Sequence, residues 1–140
     1  AIIVATGAVL RRLSLPGEQS LWGQYIHSCA LCDGNLYAGE RVCVVGGGDA
    51  AVDAALYLAR TASHVVLVHR RNDFRANDKA SVAALRERPN VDILTPYAVT
   101  GWLTVSSAHG KPRLLGARVH SAEHGERDVT CAGAFLMIGS

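Results

Sequence analysis

Two cysteines three positions apart, Cys29 and Cys32, are the residues of this 140-residue chain best spaced to do chemistry. The Cys-x-x-Cys spacing lets the sulfurs bond to each other, and a neighbouring thiol can lower its partner's pKa so that a thiolate is available near neutral pH. The pair is a candidate disulfide-exchange centre. Asp33 follows directly; a partly buried carboxyl there would serve thiol chemistry as a proton donor or acceptor, although spacing alone makes it a turn or capping aspartate before Gly34. Zinc is the competing use. A structural zinc site needs four ligands, usually from a second close pair, whereas Cys43 and Cys131 stand alone and His27 supplies at most a third ligand. Cys43 lies in a buried-strand pattern and Cys131 at a strand end, so both are expected to be small core residues. His64, His109, His120 and His124 form no spaced set.

The second constellation is Val44-Val45-Gly46-Gly47-Gly48-Asp49-Ala50-Ala51, which fits G-x-G-x-x-A between a buried-strand pattern and a helical one. Gly46 permits the tight turn, Gly48 lets the backbone approach a pyrophosphate, and the small Ala51 lets the helix pack near the strand. The helix N-terminus then offers free N–H groups and a positive dipole end to phosphates. Three glycines alone make only a tight turn; the strand and helix around them favour dinucleotide binding. About twenty residues further on, where a carboxylate would hold the ribose 2′-hydroxyl of NAD, stand His69-Arg70-Arg71, with Arg75 behind them. Guanidinium groups grip a 2′-phosphate through paired, charge-assisted hydrogen bonds, so NADPH is favoured over NADH.

The elements that must position these residues follow from the apolar pattern. Arg41 to Val45 is a strand, Asp49 to Arg60 a helix with Val52, Ala55, Leu56 and Ala59 at helical spacing, and His64 to His69 a strand apolar enough to be buried on both faces. Ala80 to Arg88 is a second helix, stopped at Pro89, and Val91 to Leu94 a third strand. From Gly101 the pieces shorten: Trp102 to Val105, Leu114 to Val119 and Asp128 to Cys131 form an antiparallel meander between turn-rich segments. Ala134 to Ile138 returns to the parallel sheet. An opening strand is expected at Ile2-Ile3-Val4, and Arg11 to Gly23, with Pro16-Gly17, is expected to be a loop. The fold class is α/β, a Rossmann-like three-layer domain with helices on one side of a parallel sheet and a three-stranded antiparallel meander on the other.

With 49% apolar residues the chain can bury one sizeable core. A net charge of +2 with clustered arginines argues for a local anion and against a nucleic acid. The apolar run Ala1 to Leu10 is too short to span a bilayer and its arginines follow it, so neither a membrane nor a secretory signal is expected. Both ends, apolar strand patterns without a tail, are expected to be cuts through a larger fold.

Together Cys29-Ala-Leu-Cys32-Asp33-Gly34, the glycine turn running on to Leu58 and His69-Arg-Arg-Asn-Asp-Phe-Arg-Ala76 resemble the low-molecular-weight thioredoxin reductases in order and spacing. The resemblance implies a flavoenzyme in which NADPH reduces FAD and electrons then reach the Cys29–Cys32 disulfide, which reduces thioredoxin or a similar disulfide protein. It implies that Cys32 faces the flavin, Cys29 attacks the substrate disulfide and Asp33 transfers the proton. Gly46, Gly47, Gly48, Asp49, Ala50, Ala51 and Asp53 fall in its cofactor turn and helix, and Arg70, Arg71 and Arg75, with His69 beside them, resemble the 2′-phosphate ligands. Residues 1–140 would be the NADPH-binding domain, with 1–8 and 135–140 as hinge segments to an FAD domain, in a homodimer located in the cytoplasm, or in an organelle if a targeting peptide precedes Ala1. Two departures bear on affinity: Ala50 stands where the family has Ser or Thr, and Asp53-Ala54 replaces a Glu-Glu pair. Without a second glycine fingerprint, the chain by itself is expected to bind no FAD and to turn over nothing. The alternatives are an NADP-binding module with structural cysteines and a related flavoprotein reductase with another electron acceptor.

Overall fold

A computed structural model describes residues 1–139. Five short parallel strands form the central sheet: β1 (Ile26–His27), β2 (Arg41–Val45), β3 (His64–Val68), β4 (Val91–Leu94) and β8 (Gly133–Leu136), in the order β1-β8-β2-β3-β4. The remaining three, β5 (Ala98–Ser106), β6 (Pro112–Ser121) and β7 (Gly125–Thr130), form the antiparallel meander. Side chains alternate across a strand, so each parallel strand serves two cores. Val42, Val44, Val65, Leu67 and Phe135 pack under the helices α3 (Asp49–Leu58) and α4 (Lys79–Glu87). Cys43, Val45, Val66, Val68, Ala134 and Leu136 face the meander, where Ala117, Val119 and Val129 meet them. This is the expected three-layer α/β arrangement. Each fully buried Val, Leu or Phe contributes roughly 1.5–3 kcal/mol of transfer free energy.

The helices are set by local chemistry. Ala51, Val52, Ala55 and Leu58 turn one face of α3 to the sheet, spaced as a 3.6-residue repeat requires. Asp78 caps α4 by accepting from the N–H groups of Ala80 and Ser81, and Pro89 follows its end. Element ends move by one to four residues from the expected ones, mostly in the meander, whose hydrogen-bonded ladder extends past its apolar residues.

Three expectations change. Ile2-Ile3-Val4 is not a strand: these residues are 92%, 91% and 77% exposed, and no described strand pairs with them, so the apolar run has neither a ladder nor a covered face. The loop Arg11 to Gly23 contains a single helical turn, α1 (Glu18–Leu21), entered through Gly17 at φ 79°. Cys43 and Cys131 do not stand alone. They are buried neighbours on the meander side, and a hydrogen bond from Cys131, with burial, pushes the Cys43 thiol well up. Of the expected hinge segment 135–140, residue 140 lies outside the described residues.

Candidate functional site

The carboxyl ends of β2, β3 and β8 open onto a cavity of about 800 Å³, at the point where the chain leaves β2 toward the helical layer and β8 arrives from the meander. Such switch points are where open parallel sheets bind ligands. Gly46, Gly47, Gly48, Asp49, Ala50, His69, Arg70 and Arg75 all line it. Gly46 sits at φ 148°, and a Cβ there would press on the Met137 carbonyl and stand 2.9 Å from the Ala51 Cβ. The small Ala51 is fully buried beside it. Gly48 has open space where a Cβ would stand and makes no side-chain cap on α3, so first-turn N–H groups remain for an anion.

Gly47 is glycine for a reason the motif does not state. A Cβ there would collide with the His69 ring, which lies directly beneath. His69 is 6% exposed, stacks on Phe74 with the ring centroids 5.8 Å apart, and donates from Nε2 to the Asp73 carbonyl at 3.0 Å. Burial, aided by the charges of Arg71, Arg70 and Arg75, holds its imidazole below the ordinary histidine value against the pull of the Asp73 carbonyl. The ring therefore supports the glycine turn as a neutral wedge.

The arginine segment is latched to that turn twice. Arg75 N–H donates to the Gly47 carbonyl at 2.6 Å. The Asp49 carboxylate accepts from the backbone N–H of Asn77 at 2.7 Å, that of Asp78 at 3.1 Å and the Asn77 amide at 3.0 Å. These bonds, the Asp78 N–H foremost, hold the Asp49 carboxyl below the usual range. Arg71 and Asp53 are exposed and do not line the cavity.

Sequence reasoning missed Arg11 and Arg12, which also line the cavity. Arg11 N–H donates to the Gly139 carbonyl at 2.9 Å, and the Arg12 guanidinium lies 4.1 Å from the Trp22 ring centroid. Glu18, 2% exposed, anchors the segment: its carboxylate accepts from the N–H groups of Leu13, Ser14 and Leu15 and from Trp102 Nε1. The signal was an acidic residue two positions after Pro16, but its partner Trp102 is 84 residues away.

Cys29 and Cys32 are disulfide-bonded, with a Cα–Cα distance of 5.3 Å, at the carboxyl end of β1. Cys29 caps α2 (Ala30–Asp33), its Sγ accepting from the Cys32 N–H at 3.1 Å. A 3-10 turn follows over Gly34–Tyr37. Gly34 lets this unit sit on α3, since a Cβ there would stand 2.9 Å from Leu58 and 3.2 Å from Tyr57. Leu31 and Leu36 beside the pair are 72% and 71% exposed. Asp33 Oδ2 lies 3.3 Å from Nδ1 of the buried His27. Among the described residues no three His, Cys, Asp or Glu side chains cluster as metal ligands, and no helix is long and apolar enough to cross a membrane.

A dinucleotide-sized cavity and a disulfide, carried at the same end of one parallel sheet, define a pyridine-nucleotide-linked disulfide protein. Residues 1–139 match the pyridine nucleotide-disulphide oxidoreductases, and the chain belongs to that family, which in general uses NADPH and FAD. It is 39% identical over 145 residues to a thioredoxin reductase of Coxiella burnetii, covering 99% of this chain and 43% of that protein. It is 54% identical over 146 residues to a glucosaminate ammonia-lyase of Pseudomonas fluorescens, covering 99% of this chain and 42% of that one. Among solved structures, the thioredoxin reductase of Streptococcus pyogenes superimposes with a TM-score of 0.85 at 30% identity, over 96% of this chain and 42% of that one. The chain thus spans less than half the length of these relatives.

Proposed function

We propose that residues 1–140 are the NADPH-binding, disulfide-carrying domain of a thioredoxin-reductase-like flavoenzyme, with FAD seated in another part of the polypeptide. The observation that carries this reading is the placement of the Cys29–Cys32 disulfide and an arginine-lined glycine-turn cavity at one end of one sheet. NADPH bound in the cavity supplies a hydride. Gly46, Gly47 and Gly48 bring backbone against its pyrophosphate, with Asp49, Ala50 and Ala51 opening the helix behind them. Arg70 and Arg75 hold the 2′-phosphate, with Arg71, exposed and outside the cavity lining, next to them in the chain; His69 holds the turn in place. The fit rests on free first-turn N–H groups, the open side of Gly48 and several guanidinium groups around one cavity.

At the other site Cys32 would face the flavin, which would supply the electrons when bound; Cys29 exchanges with the disulfide of thioredoxin or a similar protein, and Asp33 moves the proton. Exposed Leu31 and Leu36 give the pair an apolar surround suited to close docking. Segments 1–8 and 135–140 act as connections to the flavin domain, and the whole protein is a homodimer. Elimination of ammonia, the activity in the name of one relative, is redox-neutral and has no use for a disulfide at the same end of the sheet as a dinucleotide cavity, so the redox reading fits the site better.

The test is turnover by the full-length protein: NADPH consumption with thioredoxin as acceptor, alongside Cys29→Ser and Cys32→Ser. Turnover lost in either variant supports the reading. Flavin reduced by NADPH with no disulfide acceptor consumed moves the function to another acceptor.

A further inference from the structure

Behind the disulfide lies a line of titratable groups with no part in the chemistry so far. His27, 3% exposed, ends β1 two residues before Cys29. Its Nδ1 faces Asp33 Oδ2 at 3.3 Å, and its Nε2 lies 2.6 Å from the Tyr37 hydroxyl. That hydroxyl is also 3.2 Å from the Gln24 carbonyl. Packing fixes the arrangement: Phe135 lies against both rings, with centroids 5.4 and 5.7 Å away, and the Tyr37 ring sits over Gly133, where a Cβ would collide.

Counting protons gives this line two states. A tyrosine hydroxyl has one proton, and a carbonyl only accepts. When Tyr37 donates to Gln24, the contact with His27 requires a proton on Nε2, and the facing Nδ1 and Asp33 carboxylate then hold another between them. When Nδ1 alone carries the imidazole proton, Nε2 accepts and Tyr37 turns its proton to it. The first state holds one proton more than the second.

We propose that His27 and Tyr37 are positioning residues that let Asp33 take up and return one proton as the Cys29–Cys32 pair is reduced and reoxidised, with the Tyr37 hydroxyl switching between His27 Nε2 and the Gln24 carbonyl. The inference rests on the redox reading of the pair. With a small dithiol as reductant, one thiol gives its proton to Asp33 and the resulting thiolate attacks one sulfur; the S–S bond breaks, and the other sulfur leaves with the electron pair and takes that proton from Asp33. The second thiol then displaces the remaining sulfur. The dithiol departs as a disulfide, two electrons poorer, and of the two protons it released one has passed through Asp33 to the first cysteine and one stays on the second, leaving the relay as it began.

The groups facing this line are few. His27 meets Asp33 from α2 and Tyr37 from the 3-10 turn, while β8 presents only Phe135. Tyr37 also faces Tyr25 and Cys131. Burial holds His27 below its ordinary value, opposed by Asp33, so the line starts in its second state, with the imidazole neutral. Burial first, then Asp33, Tyr25 and Cys131, push Tyr37 up to about 12, so it works as a phenol throughout.

Site-resolved alkylation of the reduced full-length protein by iodoacetamide tests this, between about pH 5 and about pH 9, the range bracketing histidine and thiol titration. The native profile is expected to show an acid-side shoulder, because the extra proton neutralises Asp33 beside the thiolate. His27→Gln and Tyr37→Phe lose the shoulder, and at about pH 6 their rate falls about tenfold for each unit by which the thiol pKa rises. His27→Asn, which keeps a donor toward Asp33 but cannot hold the extra proton, loses it too; a merely structural role would leave the shoulder in place while lowering the melting temperature. If His27 variants do not fold, Tyr37→Phe, which keeps the ring packing, carries the test. Unchanged profiles in folded variants overturn the proposal while the redox reading stands. A pair that never interconverts with its dithiol in redox buffers overturns both.

Discussion

Replacing Gly47 by alanine adds one methyl group at a place where the backbone tolerates a side chain but the His69 ring does not. The ring must leave its slot, breaking the Nε2 bond to the Asp73 carbonyl and the stack on Phe74. A neutral hydrogen bond is worth about 1 kcal/mol and an aromatic stack about 0.5–1.5 kcal/mol, so the expected cost is roughly 2 kcal/mol. That falls within the range of about 1–3 kcal/mol usual for overpacking. For a domain of this size it lowers the melting temperature by roughly 6–8 °C. The Arg75 N–H bond to the Gly47 carbonyl shifts with it, so NADPH binding weakens as well. Thermal melts of Gly47→Ala, His69→Ala and the double variant form the assay. The double variant should recover about 1–2 kcal/mol relative to the sum of the singles. Strict additivity, or a Gly47→Ala melt indistinguishable from the native one, would refute the wedge argument.

Arg75→Ala and Arg70→Ala should each weaken NADPH binding roughly 10–100-fold, the loss of one charge-assisted contact of about 1.5–3 kcal/mol, and leave NADH nearly unchanged; equal losses for both nucleotides would contradict a 2′-phosphate role. His27 and His69 both titrate below their ordinary value in the fold, so the unfolded chain takes up protons first and stability falls as pH drops below about 6.5. Melting curves at about pH 5.5 and about pH 7.5 should show the decline, reduced in His69→Phe; a decline unchanged by that substitution would clear His69 of the effect. Trp102→Phe removes the indole donor from the buried Glu18 carboxylate and should cost about 1.5–3 kcal/mol. Redox exchange at Cys29–Cys32 should survive it, and a native melting temperature would show that Glu18 finds another donor.

The helical and central parts of the fold were legible because their signals are local. The strand, glycine turn and helix from Arg41 to Leu58 each follow from a few adjacent residues, and so do α4, stopped at Pro89, and β4. The first strand was misjudged because Ile2-Ile3-Val4 satisfies the apolar pattern, while burial depends on a partner strand that the pattern does not encode. The two-residue β1 was invisible for the opposite reason: Ile26 and His27 are too few to show a period, and only pairing with Ala134 and Phe135 makes them a strand. At the site, the glycines, the cysteines and the arginines were legible as motifs. What joins them is not local: the His69 wedge beneath Gly47, the Asp49 latch onto residues 77 and 78, the Arg11 and Arg12 lining of the cavity and the line from Asp33 to Tyr37 all come from packing between distant segments.

The most direct test of the account follows the electrons into the cysteines. The full-length protein with its flavin is mixed anaerobically with NADPH, quenched with an alkylating reagent and mapped by mass spectrometry. NADPH should convert Cys29 and Cys32 from disulfide to alkylated thiols, while NADH at the same concentration does so far more slowly. A disulfide left intact while the flavin is fully reduced would contradict the claim that this domain passes electrons from the nucleotide to its own cysteine pair.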